Sequence, residues 1–172
     1  MIDDRDPEIR INNSGLILLW PFFTRFFEEL ALIKNGEFAN EESRNRAVFL
    51  LQQLVFNQID FPEYDLTLNK LMVGFPLEGH LSPLAELTKD EKDLSISLLN
   101  GFISNWDKVN NSSIAAIQET FLQREGILKI KKESSLLVIE KKGVDVLLSS
   151  LPWNISIIKL TWMEKPIYVE WI

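Results

Sequence analysis

His80 is the only histidine in this sequence of 172 residues, and it is the first group that could carry chemistry. An imidazole titrates near neutral pH and can act as a general acid or base. Ser82 lies too close to His80 in sequence to make a convincing catalytic triad, which would also need a carboxylate from elsewhere in the chain. We therefore expect His80 to be a surface-loop histidine.

Other reactive groupings are equally sparse. The absence of Cys excludes disulfides, thiol nucleophiles and Cys-based metal sites, and a single His excludes a two-His zinc centre. Neighbouring carboxylates on a helix point to different faces, so adjacent acids do not form acid–base pairs by themselves. Such adjacent acids occur at Asp3/Asp4, Glu28/Glu29, Glu41/Glu42 and Asp90/Glu91. We predict a protein that is not an enzyme and needs no metal or cofactor; a hydrolase using His80 with a carboxylate is the alternative.

Charge is distributed unevenly along the chain. Residues 1–100 carry 17 acidic and 9 basic side chains (net −8), whereas residues 101–172 carry 8 and 9 (net +1). The overall charge of −7 argues against a nucleic-acid partner. A basic cluster has no Arg and no interleaved aromatic residue for base stacking, so lysines on exposed strand edges explain it better. Its members are Lys129, Lys131, Lys132, Lys141 and Lys142.

Aromatic residues are the more informative excess. Trp153, Trp162 and Trp171 recur every nine residues near the end of the sequence. They could fill a core between helices and a sheet, or, together with Tyr168, form part of a surface for a protein partner. Because chain ends are seldom fully buried, we expect Trp171 to be the most exposed of the three.

Hydrophobic periodicity divides the chain into helices followed by strands. Helices are predicted to begin near Pro21, Asn40, Phe61, Thr88 and Ser113. After Gly126 the pattern changes to a hairpin at 127–132 and 136–141, a short helix at 144–151, and strands at 155–162 and 167–171. The prediction is an α+β fold with about five helices over residues 15–125, then a small antiparallel sheet with a short helix over residues 127–172. The expected core includes Phe22, Phe26, Leu51, Leu98 and Trp106.

The domain organisation is simple. No linker rich in Gly, Ser or Pro divides the chain, so we predict a flexible N-terminus over residues 1–8 and a single domain over residues 9–172. The longest apolar stretch, residues 16–23, is far shorter than the ~20 residues needed to cross a bilayer. The acidic N-terminus is not a secretion signal. These features predict a cytosolic protein without membrane insertion.

Six motifs, in order, resemble a known family. They are SGLILLWPF at 14–22, RAVFLLQ at 46–52, PEYDLTLNKL at 62–71, FLQREG at 121–126, LPW at 151–153 and VEW at 169–171. The ordered set resembles the C-terminal region of contractile injection system tape measure proteins, which belong to phage-tail-like particles. The resemblance covers about residues 9–172. Its individual family-motif residues are Gly15, Pro21, Arg46, Glu63, Asn69, Lys70, Gly74, Trp106, Arg124, Gly126 and Pro152.

The sequence departs from the family pattern at three positions. Val73 stands where a Cys usually precedes the glycine that closes the third helix, and Thr161 stands where a Pro precedes Trp162. Ser135 lies where a Trp is expected in the hairpin. We interpret all three as packing changes that leave the fold intact.

The resemblance implies a non-enzymatic structural or assembly role, in which the domain docks to baseplate hub, spike, inner tube or cap components. A tape measure spans the growing inner tube, but 172 compactly folded residues have a radius of gyration of only ~16 Å. We therefore expect the terminal domain of a longer protein, or a short member that keeps an anchoring module, assembled in the cytoplasm into a particle. The alternative is an adaptor or chaperone for a protein client such as a cargo effector. The oligomeric state and the docking end stay open.

Overall fold

The computed structural model describes residues 6–171, and helices precede most of its strands. The α-helices are α1 (Phe23–Glu29), α2 (Glu41–Phe56), α3 (Thr67–Val73), α4 (Lys89–Ser104) and α5 (Ile114–Ile117). The strands are β1 (Glu8–Ile11), β2 (Ile33–Lys34), β3 (Glu37–Phe38), β4 (Gly126–Ile130), β5 (Ser135–Ile139), β6 (Ile157–Ile158) and β7 (Ile167–Glu170). Short 3-10 helices cover Ser14–Phe22, Glu63–Leu66, Asp107–Val109 and Gly143–Ser150, and a π-helix covers Gln118–Leu122. This arrangement confirms the α+β class.

Local capping signals set the ends of the central helices. The Asn40 side chain accepts a hydrogen bond from the Ser43 N–H at 2.8 Å and so begins α2 close to its predicted start. Thr88 and Glu91 form a capping box at the start of α4, where a helix was predicted to begin. Gly74 ends α3 in the left-handed conformation, with φ +71°, which a glycine adopts without strain.

The N-terminal helical segment differs from the prediction. The chain enters a 3-10 helix at Ser14, Pro21 lies inside that helix, and the α-helical turns begin only at Phe23. Leu16 to Leu19 are completely buried, so this segment has no polar face whose spacing could reveal its period. Pro21 also removes one backbone donor, which favours a short irregular helix over a long α-helix.

The other end of the helical layer is also less regular than predicted. α4 ends at Ser104, and Trp106 lies two residues beyond the helix. The fifth predicted helix is one short α-helix that continues as a π-helix to Leu122. The wider π turn carries Phe121 into the core against Trp106, with ring centroids 5.0 Å apart.

The main sheet has five strands in the order β1-β4-β5-β7-β6. β4 and β5 form the predicted hairpin, but β5 pairs with β7 in parallel, so the prediction of a wholly antiparallel sheet is wrong. A parallel neighbour requires a crossover, which residues 140–166 supply through the 3-10 helix Gly143–Ser150 and the strand β6. β6 has only two residues, whereas a strand over 155–162 was expected.

β1 joins the sheet, although no strand was predicted at residues 8–11. It pairs antiparallel with β4, and Glu8 lies opposite Lys129. The strand therefore begins at the last residue of the segment that we expected to be flexible, while residues 1–5 lie outside the described part of the chain.

A single hydrophobic core joins the helical layer to the inner face of the sheet. Of the five expected core residues, four are buried, namely Phe26, Leu51, Leu98 and Trp106. Phe22 is half-buried and packs edge-on against Phe102 and Trp153, with ring centroids 6.3 and 5.5 Å away.

We predict that Gly15→Ala destabilises the fold by at least about 3 kcal/mol. An added Cβ at Gly15 would lie 1.8 Å from the carbonyl oxygen of Phe121, where two segments of backbone meet. Gly143→Ala is the matched control, because nothing lies within 4 Å of its added Cβ. Chemical denaturation measures both variants, and equal stability of the two would contradict the close-approach explanation.

Candidate interaction surfaces

His80 lies in the loop between α3 and α4, and its side chain is 93% exposed. Its Nδ1 is 3.6 Å from Glu63 Oε2. The expectation of a surface-loop histidine is therefore confirmed.

The Glu63 side chain holds that loop in place. Its carboxylate accepts hydrogen bonds from the Leu81 N–H at 2.5 Å and from Lys70 Nζ at 3.3 Å, and Lys70 also donates to the Gly79 carbonyl at 2.9 Å. The Leu81 hydrogen bond is the main reason that the pKa of Glu63 lies below its ordinary value. These two family-motif residues thus act as a clamp on residues 79–81.

Arg46 forms a second structural ion pair. Its guanidinium donates two hydrogen bonds to the Glu91 carboxylate, which also accepts from the Thr88 N–H at 2.8 Å. Burial alone would raise the pKa of Glu91, but the hydrogen bonds from Arg46 and Thr88 outweigh it and lower the pKa. This pair ties α2 to the beginning of α4.

Asn69 is completely buried at the junction of three elements. Its side-chain amide donates to the Val48 carbonyl at 2.9 Å and to Gln52 Oε1 at 3.1 Å, while its oxygen accepts from Asn13 at 2.7 Å. Asn13 also donates to Gln52 at 2.9 Å. This polar network connects α2 and α3 to the chain that leaves β1.

Arg124 is the most extensively bonded of the family-motif residues. Its side chain is fully buried and forms two hydrogen bonds of 2.7 and 2.8 Å with Asp145, which is itself 6% exposed. It also donates to the carbonyls of Glu140 and Thr120, at 3.0 and 2.8 Å. Trp171 covers the pair, since its ring lies 5.2 Å from the guanidinium and its indole N–H donates to Asp145 at 3.0 Å.

The remaining family-motif residues shape the packing. An added Cβ on Gly126 would lie 2.2 Å from Ser14 Oγ, and one on Gly74 would lie 2.7 Å from the Trp162 carbonyl oxygen. Trp106 is fully buried and donates to Ser150 at 2.9 Å. Pro152 is exposed and follows the 3-10 helix Gly143–Ser150.

The tryptophans belong mainly to the interior. Trp171 is 1% exposed, so the expectation that it would be the most exposed of the three is wrong. β7 carries it inward over the Arg124–Asp145 pair. Trp162 is 6% exposed and donates to the Met72 carbonyl, whereas Trp153 is half-buried and donates to the Leu18 carbonyl.

Tyr168 differs from these tryptophans because it points outward from β7. It is 45% exposed. Among the aromatic residues proposed to contact a partner, Tyr168 has the largest exposed fraction.

The three departures from the family pattern fit their surroundings. Val73 is completely buried and Ser135 is 2% exposed. The Thr161 hydroxyl donates to the Gly36 carbonyl at 2.8 Å. Each therefore has a packing or hydrogen-bonding role of its own.

Two of the open surfaces on residues 6–171 carry apolar side chains beside charged ones, and the first is a groove between α1 and α4. Its apolar floor is formed by Phe22, Phe26, Leu30, Leu94 and Leu98. Four carboxylates and two arginines line it, and its wider part encloses about 650 Å³. We call this the helix groove, and its wall carries a net negative charge.

The second is the outward face of the five-stranded sheet. The strand registers place two rows of side chains on it, Arg10–Ile127–Val138–Glu170 and Glu8–Lys129–Leu136–Tyr168–Ile157. Its centre is apolar except for Lys129 on β4, whose ammonium lies 3.9 Å from the Glu8 carboxylate on β1. We call this surface the sheet face.

Neither surface gathers a reactive centre. Within residues 6–171, no cluster of three or more His, Asp or Glu residues could hold a metal ion. None of the helices in that part of the chain combines the length and apolarity needed to span a bilayer. Each surface can bind a partner through apolar contacts, and the charged residues around those contacts select which partner fits.

We predict that Asp145→Asn destabilises the protein by about 3–5 kcal/mol at neutral pH, because it leaves the buried Arg124 charge without a counter-ion. Asp93→Asn is the matched control; it removes a 3.2 Å ion pair with Lys89 in which both side chains are exposed, so it should cost under about 1 kcal/mol.

The pH dependence provides a second measurement on the same variant. Burial alone would raise the pKa of Asp145, but the hydrogen bonds from Arg124, the Lys142 N–H and Trp171 hold it below the ordinary value. A depressed pKa stabilises the folded state above about pH 4, and this contribution is lost as pH falls through the folded pKa. Urea denaturation should therefore show the difference between the unmodified chain and Asp145→Asn shrinking in acid. A constant difference would contradict an ionised Asp145.

Comparison with known proteins agrees with the motif order. The family model described as "Contractile injection system tape measure protein" matches residues 2–171. No curated protein and no solved structure gives a significant match to the chain. Because the family model spans nearly the whole sequence, the chain belongs to the contractile injection system tape measure protein family.

Proposed function

We propose that this domain is a non-enzymatic anchor that docks to a baseplate hub, spike or cap component while a contractile particle assembles in the cytoplasm. The observation that carries this proposal is the family match over residues 2–171, which gives the chain a structural role in such a particle. The bonding of the motif residues supports it, because Arg46, Asn69 and Arg124 are engaged in joining elements of the fold.

The helix groove is the surface proposed for this docking. Phe22, Phe26 and Leu98 supply apolar floor, and Glu29, Asp90 and Asp93 lie on the wall. Among the described residues, Glu29, Glu91 and Asp93 form ion pairs with Arg25, Arg46 and Lys89, so Asp90 supplies the unpaired negative charge of the wall. The matching partner segment therefore carries apolar side chains next to a Lys or Arg that can meet Asp90. The net charge of −8 over residues 1–100 extends the same preference over a longer range.

A second candidate is an adaptor that delivers a protein client, such as a cargo effector, and then leaves. The same groove is compatible with that function, because an apolar floor with an acidic wall does not distinguish a client from a particle component. The two functions differ in what happens to the chain at the end of assembly.

We expect the chain to be retained in purified mature particles from its native host. Affinity purification of the tagged chain followed by mass spectrometry should recover baseplate, spike, tube or cap proteins. Recovery with soluble client alone, and loss from mature particles, would favour the adaptor. Recovery of neither would contradict both functions.

Charge reversal tests the groove itself. Glu29→Lys combined with Asp90→Lys should lower retention in particles several-fold and reduce the sensitivity of binding to salt, because the wall would then repel a basic partner. Glu119→Lys combined with Glu133→Lys makes the same charge change at exposed positions outside the groove. Equal retention of the two double variants, with unchanged thermal unfolding, would exclude the groove as the docking site.

A further inference from the structure

We propose that the sheet face binds a second copy of this chain, so that two domains pack sheet to sheet about a two-fold axis. Apolar side chains make up most of this face: Ile127, Leu136 and Val138 are half-buried, Ile157 is 52% exposed and Tyr168 is 45% exposed. Lys129 is the charged residue among them, and it is paired with Glu8. An outward sheet face that meets only water normally carries polar side chains in alternation with the buried ones. A contiguous apolar centre of this kind marks an interaction surface.

The charge pattern identifies the occupant. In the row Arg10–Ile127–Val138–Glu170, the positive charge lies on β1 and the negative charge on β7, three strands away or ~14 Å. Both charged side chains are exposed, and neither forms an ion pair with another residue of the described chain 6–171. A partner surface that carries the same row in reverse order would place an opposite charge against Arg10 and another against Glu170.

A second copy provides that surface when the two-fold axis runs parallel to the strands, between β4 and β5. Arg10 then faces the partner's Glu170, and Ile127 faces the partner's Val138. In the next row, Glu8 faces the partner's Tyr168, whose phenol can donate to the carboxylate. Lys129 faces the partner's Leu136, against which its methylene groups can pack while its ammonium stays beside Glu8, 3.9 Å away. The strand directions of the two sheets stay nearly aligned, as in β-sandwich packing.

The alternative two-fold arrangement is disfavoured by the same charges. An axis that runs across the strands, along the row, would place Arg10 on the partner's Arg10 and Glu170 on the partner's Glu170. Like charges at such close range repel. An axis across the strands but between the two rows would instead place Arg10 on the partner's Glu8. Exchanging the charges of Arg10 and Glu170 separates that arrangement from the proposed one, because Arg10→Glu would then place a carboxylate that repels the partner's Glu8.

The size of the face determines how strong the dimer is. Five strands of at most five residues cover a footprint of ~19 Å by ~17 Å, which is small for a permanent interface. We therefore expect a reversible dimer with a Kd between about 10 μM and 1 mM. Such an affinity becomes effective where copies are concentrated in an assembling particle.

Sedimentation equilibrium of the purified full chain, over about 5 μM to 1 mM, measures this dimer directly. Val138→Glu should abolish it, because it buries a carboxylate at the centre of the interface. Val146→Glu is the matched control, since Val146 is 75% exposed and lies outside the sheet. A chain that stays monomeric at the highest concentration, or equal dimerisation of the two variants, would overturn the proposal.

A charge swap tests the arrangement of the two copies. Arg10→Glu and Glu170→Arg should each weaken the dimer several-fold, while the double variant should recover the original affinity because opposite charges again face each other. A double variant weaker than either single variant would overturn the proposed axis. Thermal unfolding, expected to be unchanged, shows that the effects are not losses of fold.

The result is separable from the docking function. Self-association is measured on the isolated chain, whereas docking is measured by retention in particles. If the chain is monomeric and Val138→Glu lowers particle retention, the sheet face binds a particle protein, and the second-copy proposal fails while the anchor function stands. If it dimerises but is never retained, the anchor function fails alone.

Discussion

The buried Arg124–Asp145 ion pair is the constraint on which the joining of the two layers depends. Arg124 follows the π-helix at the end of the helical layer, and Asp145 belongs to the crossover between two parallel strands. A buried guanidinium is costly unless its charge is neutralised and most of its N–H groups donate hydrogen bonds. The Asp145 carboxylate neutralises the charge, and the carbonyls of Glu140 and Thr120 accept hydrogen bonds from the guanidinium. The crossover must therefore return to this point.

The end of the sheet is organised around the same pair. Trp171 closes it from solvent and uses its indole N–H on the carboxylate, which fixes the last residue of the described chain against the interior. β7 is thereby held beside β5 and runs parallel to it. The outward side of β7 then presents Tyr168 and Glu170 on the sheet face. The buried ion pair thus helps to determine which side chains of β7 lie on the sheet face.

Signals that act over a few residues made much of the fold predictable from the sequence. Asn40, Thr88 and Gly74 mark helix ends because their partners lie within one turn, and the β4–β5 hairpin is likewise local. Features with distant partners were missed: β1 pairs more than a hundred residues away, and β7 pairs in parallel across a crossover. Trp171 was misjudged for the same reason, since its burial depends on Asp145 rather than on its position near the chain end. The candidate surfaces escaped detection because they exist only once the registers and helix contacts are known.

The two surfaces have complementary consequences for assembly. The inner face of the sheet packs into the core with the helices, so the sheet face and the helix groove are separate and can be occupied together. A dimer formed through the sheet face would carry two acidic grooves on one rigid body. When a weakly binding groove is duplicated in this way, the second contact becomes intramolecular and total affinity rises without new contacts. Weak self-association is therefore sufficient to make anchoring depend on local concentration, which is high only where a particle is being built.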